Sequence, residues 1–220
     1  DTTSYDRLES VELVIENATE SWSVKSTIYP ELDRVCPTDC VIAANTSAIS
    51  ITRLGDLTGR AGRVIGMHFM NPVPNKRVVE LVRGMHTSDD TIRAARSLLG
   101  HINKEAIIVN DCPGFAINRV LMIAINEAIC VVEDEVACPS DVDQLFVRCL
   151  SHEMGPLATA DLIGLDTVLR TLEVLEDSYQ HSKYRPCALL KQMVADGLLG
   201  RKSGRGFFDY AHGQPHKKWT

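Results

Sequence analysis

The sequence predicts an α/β layer followed by an all-helical part. Three observations carry that expectation. Apolar, β-branched runs alternate with helix-periodic segments up to about residue 111. After CPGF the texture turns helical throughout, opening with the long apolar stretch 114–138. A chain of 220 residues with 45% hydrophobic content suits one large domain or two modest ones, each with a core.

Taken in order, 1–10 is polar and reads as a loop entering mid-fold, so the chain is expected to lack its natural beginning. VELVIENA (11–18) reads as a buried strand. Trp22, Val24, Ile28, Leu32 and Val35 recur at helical spacing, with Pro30 placed to bend or interrupt that helix. CVIAAN (40–45) is a second strand, and Thr46 and Ser47 offer caps or turn residues before a short helix. RVIGMHF (63–69) and RVVELVRG (77–84) are strands. Ser88, followed by two acids, opens a helix to about 102. EAIIVND (105–111) is the fifth strand. The boundary falls near Asp111–Pro113; beyond it Pro139–Ser140–Asp141 signals a further helix start. The tail AHGQPHKKWT is polar and reads as frayed.

Composition narrows the function. The net charge is -6 and no basic run is present, which argues against a nucleic-acid partner. No apolar run approaches the ~18 residues of a membrane span. The seven cysteines are odd in number and contain no C-x-x-C pair. They predict reduced thiols in a cytoplasmic protein, many buried, with no zinc-like spacing and hence no metal site.

One constellation carries chemistry. His68 ends an apolar run and Glu80 lies between Val79 and Leu81 in the next, with the short loop NPVPNK between them. Strands joined by a short loop are usually neighbours, so the two side chains can meet. A carboxylate beside an imidazole fixes its tautomer and stabilises its protonated form, which suits a general acid/base histidine. On pattern alone, a satisfied core His68 with Glu80 turned to solvent stays open. Ser47 and Asn118 are similarly balanced: a cap and an ordinary helix position on one reading, hydrogen-bond donors to a carbonyl or alkoxide at a domain seam on the other.

NTSAISIT, RVIGMHFMNPVP, VVELVRG, NDCPGFAINRVL, MGPLATADLIGLD, YRPCALLKQMV and LGRKSGRGFFDY occur in that order. Together they resemble the L-3-hydroxyacyl-CoA dehydrogenase family, including its 3-hydroxybutyryl-CoA dehydrogenases, over nearly the whole chain. The resemblance implies a Rossmann-type NAD-binding domain, here incomplete and spanning 1–111, followed by an all-helical C-terminal domain over 112–220 that forms a homodimer. It implies oxidation of the 3-hydroxyl of an acyl-CoA with hydride passing to NAD. His68 of HFMNP corresponds to the catalytic histidine, with Met70 where Phe is usual. Glu80 corresponds to its partner acid, Ser47 to the serine of NTS, and Asn118 to the asparagine of the PGF-x-x-NR motif. Glu20, Lys25, Asn71 and Lys202 correspond to cofactor contacts, although ATES replaces the usual V-V-E-N around Glu20.

The family's opening strand, G-x-G-x-x-G turn and helix have no counterpart, and none of the 14 glycines forms that pattern. At least one βαβ unit of roughly 30 residues is expected to be missing, and residues 1–220 alone are expected to bind NAD weakly or not at all. Three alternatives accompany the main reading. They are the same chemistry on acyl groups tethered to a carrier protein, a non-catalytic dimerising module, and a hydroxy-acid dehydrogenase of the sugar-acid type.

Overall fold

A computed structural model describes residues 5–210. The first four residues and the tail from 211 to 220 lie outside the described residues, so neither the reading of the extreme start nor that of the tail is addressed. The chain divides into two compact units between Ala116 and Ile117.

The first unit contains β1 (Leu13–Glu16), α1 (Trp22–Val35), β2 (Val41–Ala44), α2 (Ile51–Gly55), β3 (Val64–Phe69), β4 (Val78–Arg83), α3 (Asp89–His101) and β5 (Glu105–Asn110). The strands form one sheet in the order β1-β2-β3-β4-β5. Every neighbouring pair is parallel except β3 with β4, which the short NPVPNK connection makes antiparallel. Strand alternation then sorts the side chains into two layers. Ile42, Ala44, Val64 and Val82 pack on one face with Tyr29, Leu32, Ile51 and Leu54 of α1 and α2. Val41, Ala43, Ile65, Met67, Val79 and Leu81 pack on the other with Ile92, Ala95 and Leu99 of α3. Gly66 lets α2 approach the first face, since a Cβ there would stand 2.8 Å from Ile51 and Val82.

Local differences from the sequence reading have simple causes. Tyr5–Ser10 forms a 3-10 helix where a loop is expected. Pro30 neither breaks nor ends α1. Ser50, not Thr46 or Ser47, caps α2 by accepting from the Arg53 amide. Ser88 caps α3 as expected, accepting from the Thr91 amide.

The second unit contains α4 (Ile117–Glu133), α5 (Pro139–Cys149), α6 (Pro156–Ile163), α7 (Leu165–Tyr179) and α8 (Ala188–Ala195) around one apolar cluster that includes Ile125, Leu157, Val168, Leu172 and Leu190. The helix expected over 114–138 is shorter at both ends. Gly114 (φ 75°) and Phe115 (φ 51°) delay its start, and Glu135 (φ 57°) follows its end. Two buried carboxylates staple this unit. Asp143 accepts from the Leu157 and Ala158 amides at the start of α6, both at 2.8 Å. Asp161 accepts from the Phe207 and Phe208 amides and from the Tyr210 hydroxyl. The wording of MGPLATADLIGLD and GRGFFDY is thereby explained as mutual packing, with a Cβ on Gly206 falling 2.0 Å from Asp161 Oδ1. No helix among the described residues is long and apolar enough to cross a membrane.

Candidate active site

β3 and β4 set His68 opposite Glu80 in register. Both side chains fall on the sheet face carrying Val64 and Val82, because they sit at even spacing from those residues along their strands. The Nδ1 of His68 lies 2.9 Å from Glu80 Oε2. Glu80 Oε1 accepts from the Ala116 amide at 2.9 Å. The residues are only 5% and 3% exposed, so the carboxylate cannot rely on water and depends on these donors. Phe115 packs edge-on against the imidazole, 5.7 Å between centroids. An ionised carboxylate only accepts, so the proton facing Glu80 sits on Nδ1 and the lone pair is left on Nε2. Such an imidazole can take up a proton and have the resulting charge balanced at once. The open alternative, Glu80 turned to solvent, is excluded.

The carboxyl ends of β1, β2 and β3 share one edge of the sheet, since these strands are parallel. Asn45, just past β2, ties that edge together. Its Nδ2 donates to Asn17 Oδ1 at 2.7 Å, and its Oδ1 accepts from the Phe69 amide at 3.3 Å. Ser47 lies half-buried in the loop between β2 and α2. Glu20 Oε1 accepts from the Thr46 hydroxyl at 2.6 Å and from the Ser47 and Ala48 amides at 3.0 Å each. Lys25 is fully buried, with Nζ 2.8 and 2.7 Å from the two oxygens of Glu16. Asn71 is exposed and immediately follows the β3 run, preceding a cis bond to Pro72. Asn118 belongs to the first turn of α4 in the second unit. Lys202 pairs there with Asp166 at the start of α7. Burial works against ionised Asp166, but the hydrogen bond and charge of Lys202 hold its carboxyl below the ordinary value.

Sequence reasoning missed four residues that shape the first unit. Glu16 ends an apolar strand just as Glu80 interrupts one, so the same signal was available for it. Asn45 carried none. Asp111, at the end of β5, accepts from the Ser50 hydroxyl at 2.7 Å and from the Thr52 amide at 2.8 Å, which anchors α2. Phe115 was visible only as part of a motif. Of the seven cysteines, Cys36 and Cys40 are buried, Cys138 and Cys149 exposed and the rest intermediate, so fewer are buried than composition suggests.

Comparison with known proteins gives a consistent result. The family model described as 3-hydroxyacyl-CoA dehydrogenase, NAD binding domain, matches residues 1–112, and its C-terminal domain partner matches 114–210. The chain is 48% identical over 205 residues to a probable 3-hydroxybutyryl-CoA dehydrogenase of Bacillus subtilis, covering 93% of this chain and 71% of that one. It is 44% identical to a similarly named protein of Deinococcus radiodurans, covering 95% of this chain and 75% of the relative. The solved structure of (S)-3-hydroxybutyryl-CoA dehydrogenase PaaH1 from Ralstonia eutropha superposes with a TM-score of 0.92 at 47% identity, covering 95% of this chain and 74% of that chain.

Proposed function

Because the chain belongs to the 3-hydroxyacyl-CoA dehydrogenase family, we propose that His68 is its general base and Glu80 the acid that orients and charges it, in the NAD-dependent interconversion of (S)-3-hydroxyacyl-CoA and 3-oxoacyl-CoA. The observation that carries this reading is the buried contact of His68 Nδ1 with Glu80 Oε2 at 2.9 Å. An alcohol holds its proton tightly near neutral pH, so its oxidation needs a base positioned on the hydroxyl. His68 Nε2 takes that proton, and the Glu80 carboxylate stabilises the imidazolium that results. In the reverse direction the same imidazolium returns the proton to the 3-oxo oxygen.

The residues fit NAD at one end. The shared carboxyl edge of β1, β2 and β3 is where doubly wound sheets take dinucleotides, and the half-buried NTS loop offers polar groups there. When bound, NAD accepts or returns the hydride. Ser47 and Asn118 are proposed to hydrogen-bond the reacting oxygen and the thioester end, and Asn71 and Lys202 to contact the cofactor's edge. For Glu20 and Lys25 the contacts support a different part: Glu20 clamps the turn that presents Ser47, and Lys25 neutralises Glu16 beneath it. The first unit is proposed as the cofactor-binding and catalytic domain and the second as the dimerisation domain of a cytoplasmic homodimer. Exposed apolar residues on α4 and α5, among them Val120 at 69% and Leu145 at 57%, support the latter. Light scattering on the purified protein should give twice the chain mass, and a monomer at all concentrations rejects the dimer.

Replacing His68 by Ala in a chain that also carries the family's glycine-rich segment tests the chemistry. Turnover of acetoacetyl-CoA with NADH should fall by roughly 10²-fold or more while NADH binding, read by calorimetry, is unchanged. Undiminished turnover removes the proposed base. Running the same assay on the carrier-protein ester of the same acyl group shows whether the tethered substrate is the better one.

A further inference from the structure

The helical unit brings together three side chains with the chemistry of a metal ligand set. Cys130 and Glu133 are one turn apart on α4 and so share a face. Cys187 is the N-cap residue of α8. The two Sγ atoms and a carboxylate oxygen of Glu133 all lie within 4.8 Å of one another. Tetrahedral zinc, with bonds of about 2.3 Å to sulfur and ~2.1 Å to oxygen, needs ligand separations of roughly 3.5–3.8 Å, so shifts of about 1 Å close the set.

We propose that Cys130, Glu133 and Cys187 form a binding site for a thiophilic divalent cation of the zinc class, with the fourth position taken by water. Thiolate ligands select such an ion over calcium or magnesium, and three protein ligands leave one position open. The frame around the ligands is already built. Asn126, one turn before Cys130, donates to the Arg185 carbonyl at 3.1 Å and accepts from the Cys187 amide at 3.0 Å. Glu133 Oε1 accepts from the Leu189 amide at 2.7 Å, and a carboxylate keeps a second oxygen for an ion. These bonds hold the start of α8 against α4, so the ligands are oriented before an ion arrives. Glu127 and Asp134 add negative charge beside Cys130. Burial pushes the Cys187 thiol up to about 12 and raises Cys130 as well, with the neighbouring acids adding to it. Both thiols are therefore protonated without metal. Binding forms two metal–sulfur bonds and one metal–oxygen bond and releases both thiol protons to solvent.

Cobalt(II) titration of the reduced, metal-free protein tests this. The expected result is a single ion per chain, thiolate-to-cobalt charge-transfer absorption, displacement by zinc and a zinc-dependent rise in Tm. Cys130→Ser and Cys187→Ser, each removing one of the two thiolate ligands, should each cut the charge-transfer band to about half and weaken binding by about tenfold or more, and the double variant should abolish the band. Glu133→Gln should weaken binding while keeping the band, and Cys149→Ser should change nothing. An undiminished band in either Cys130→Ser or Cys187→Ser, or no band in the wild type, overturns the proposal. Melting of the metal-free variants provides the folding check: a single variant that melts with the wild type and has a diminished band supports the site. If one serine variant does not fold, the decision rests on Cys130→Ala and on the wild-type band.

Discussion

Glu80→Gln isolates the chemistry of the buried pair from its shape. Glu80 answers partners that include His68 Nδ1 at 2.9 Å and the Ala116 amide at 2.9 Å. A glutamine has one acceptor oxygen. The Ala116 N–H can only donate, so that oxygen must face it, and the amide NH2 then faces Nδ1. Nδ1 must become the acceptor, which moves the ring proton to Nε2, the atom that has to accept the substrate proton. The flipped amide would instead set its NH2 against the Ala116 N–H, donor against donor in a buried place, at about 1–3 kcal/mol. That difference favours the wrong tautomer by roughly 5- to 150-fold. Loss of the carboxylate also removes the charge that stabilises the imidazolium, so kcat should fall by about 10²- to 10⁴-fold. Unfolding stability should change little, because His68 and the Ala116 amide each retain a hydrogen bond. Turnover assays give the rate, and nitrogen chemical shifts of the imidazole report the tautomer directly. A variant with the ring proton moved to Nε2 but with wild-type kcat would refute the reasoning.

Two further outcomes follow from the fold. Lys25→Met leaves Glu16 ionised and buried with the Ala18 amide as a remaining donor, so stability to urea should drop by about 3–5 kcal/mol, and adding Glu16→Gln should recover much of it; a loss below ~1 kcal/mol would mean that water reaches the pair. Burial raises the Asp161 carboxyl above its ordinary 3.8, against the opposing pull of the Phe207 and Phe208 amides and Tyr210. The protonated form is thus favoured by folding, and this contribution is present below pH 3.8 and lost as pH rises through the raised value. Asp161→Asn should flatten the stability–pH curve in the window just above pH 3.8, and an unchanged slope in Tm against pH would contradict the assignment.

Much of this was legible because it is local. Continuous apolar runs located β2 and β3, and Ser88 marked the start of α3, because run composition and capping depend on near neighbours. His68 and Glu80 could be paired because one short loop separates their strands. Glu20 and Lys25 were legible as motif positions but not as contacts. Their partners, Thr46 through Ala48 and Glu16, are supplied by another loop and by the far side of a turn. Cys130, Glu133 and Cys187 could not be grouped at all, since no spacing rule links the middle of one helix to the cap of another.

By itself, then, the sequence determined the order of strands and helices, the change of texture past residue 111 and the presence of an acid able to meet a histidine. Periodicity and short connections are set by chemistry a few residues wide. Only the tertiary structure decided which carboxylates are buried and what each one holds: Glu80 the imidazole, Glu16 an ammonium, Glu20 a turn, Asp143 and Asp161 backbone amides. A buried charge must find donors wherever the packed chain brings them. That meeting is fixed by the whole fold, not by any stretch of it.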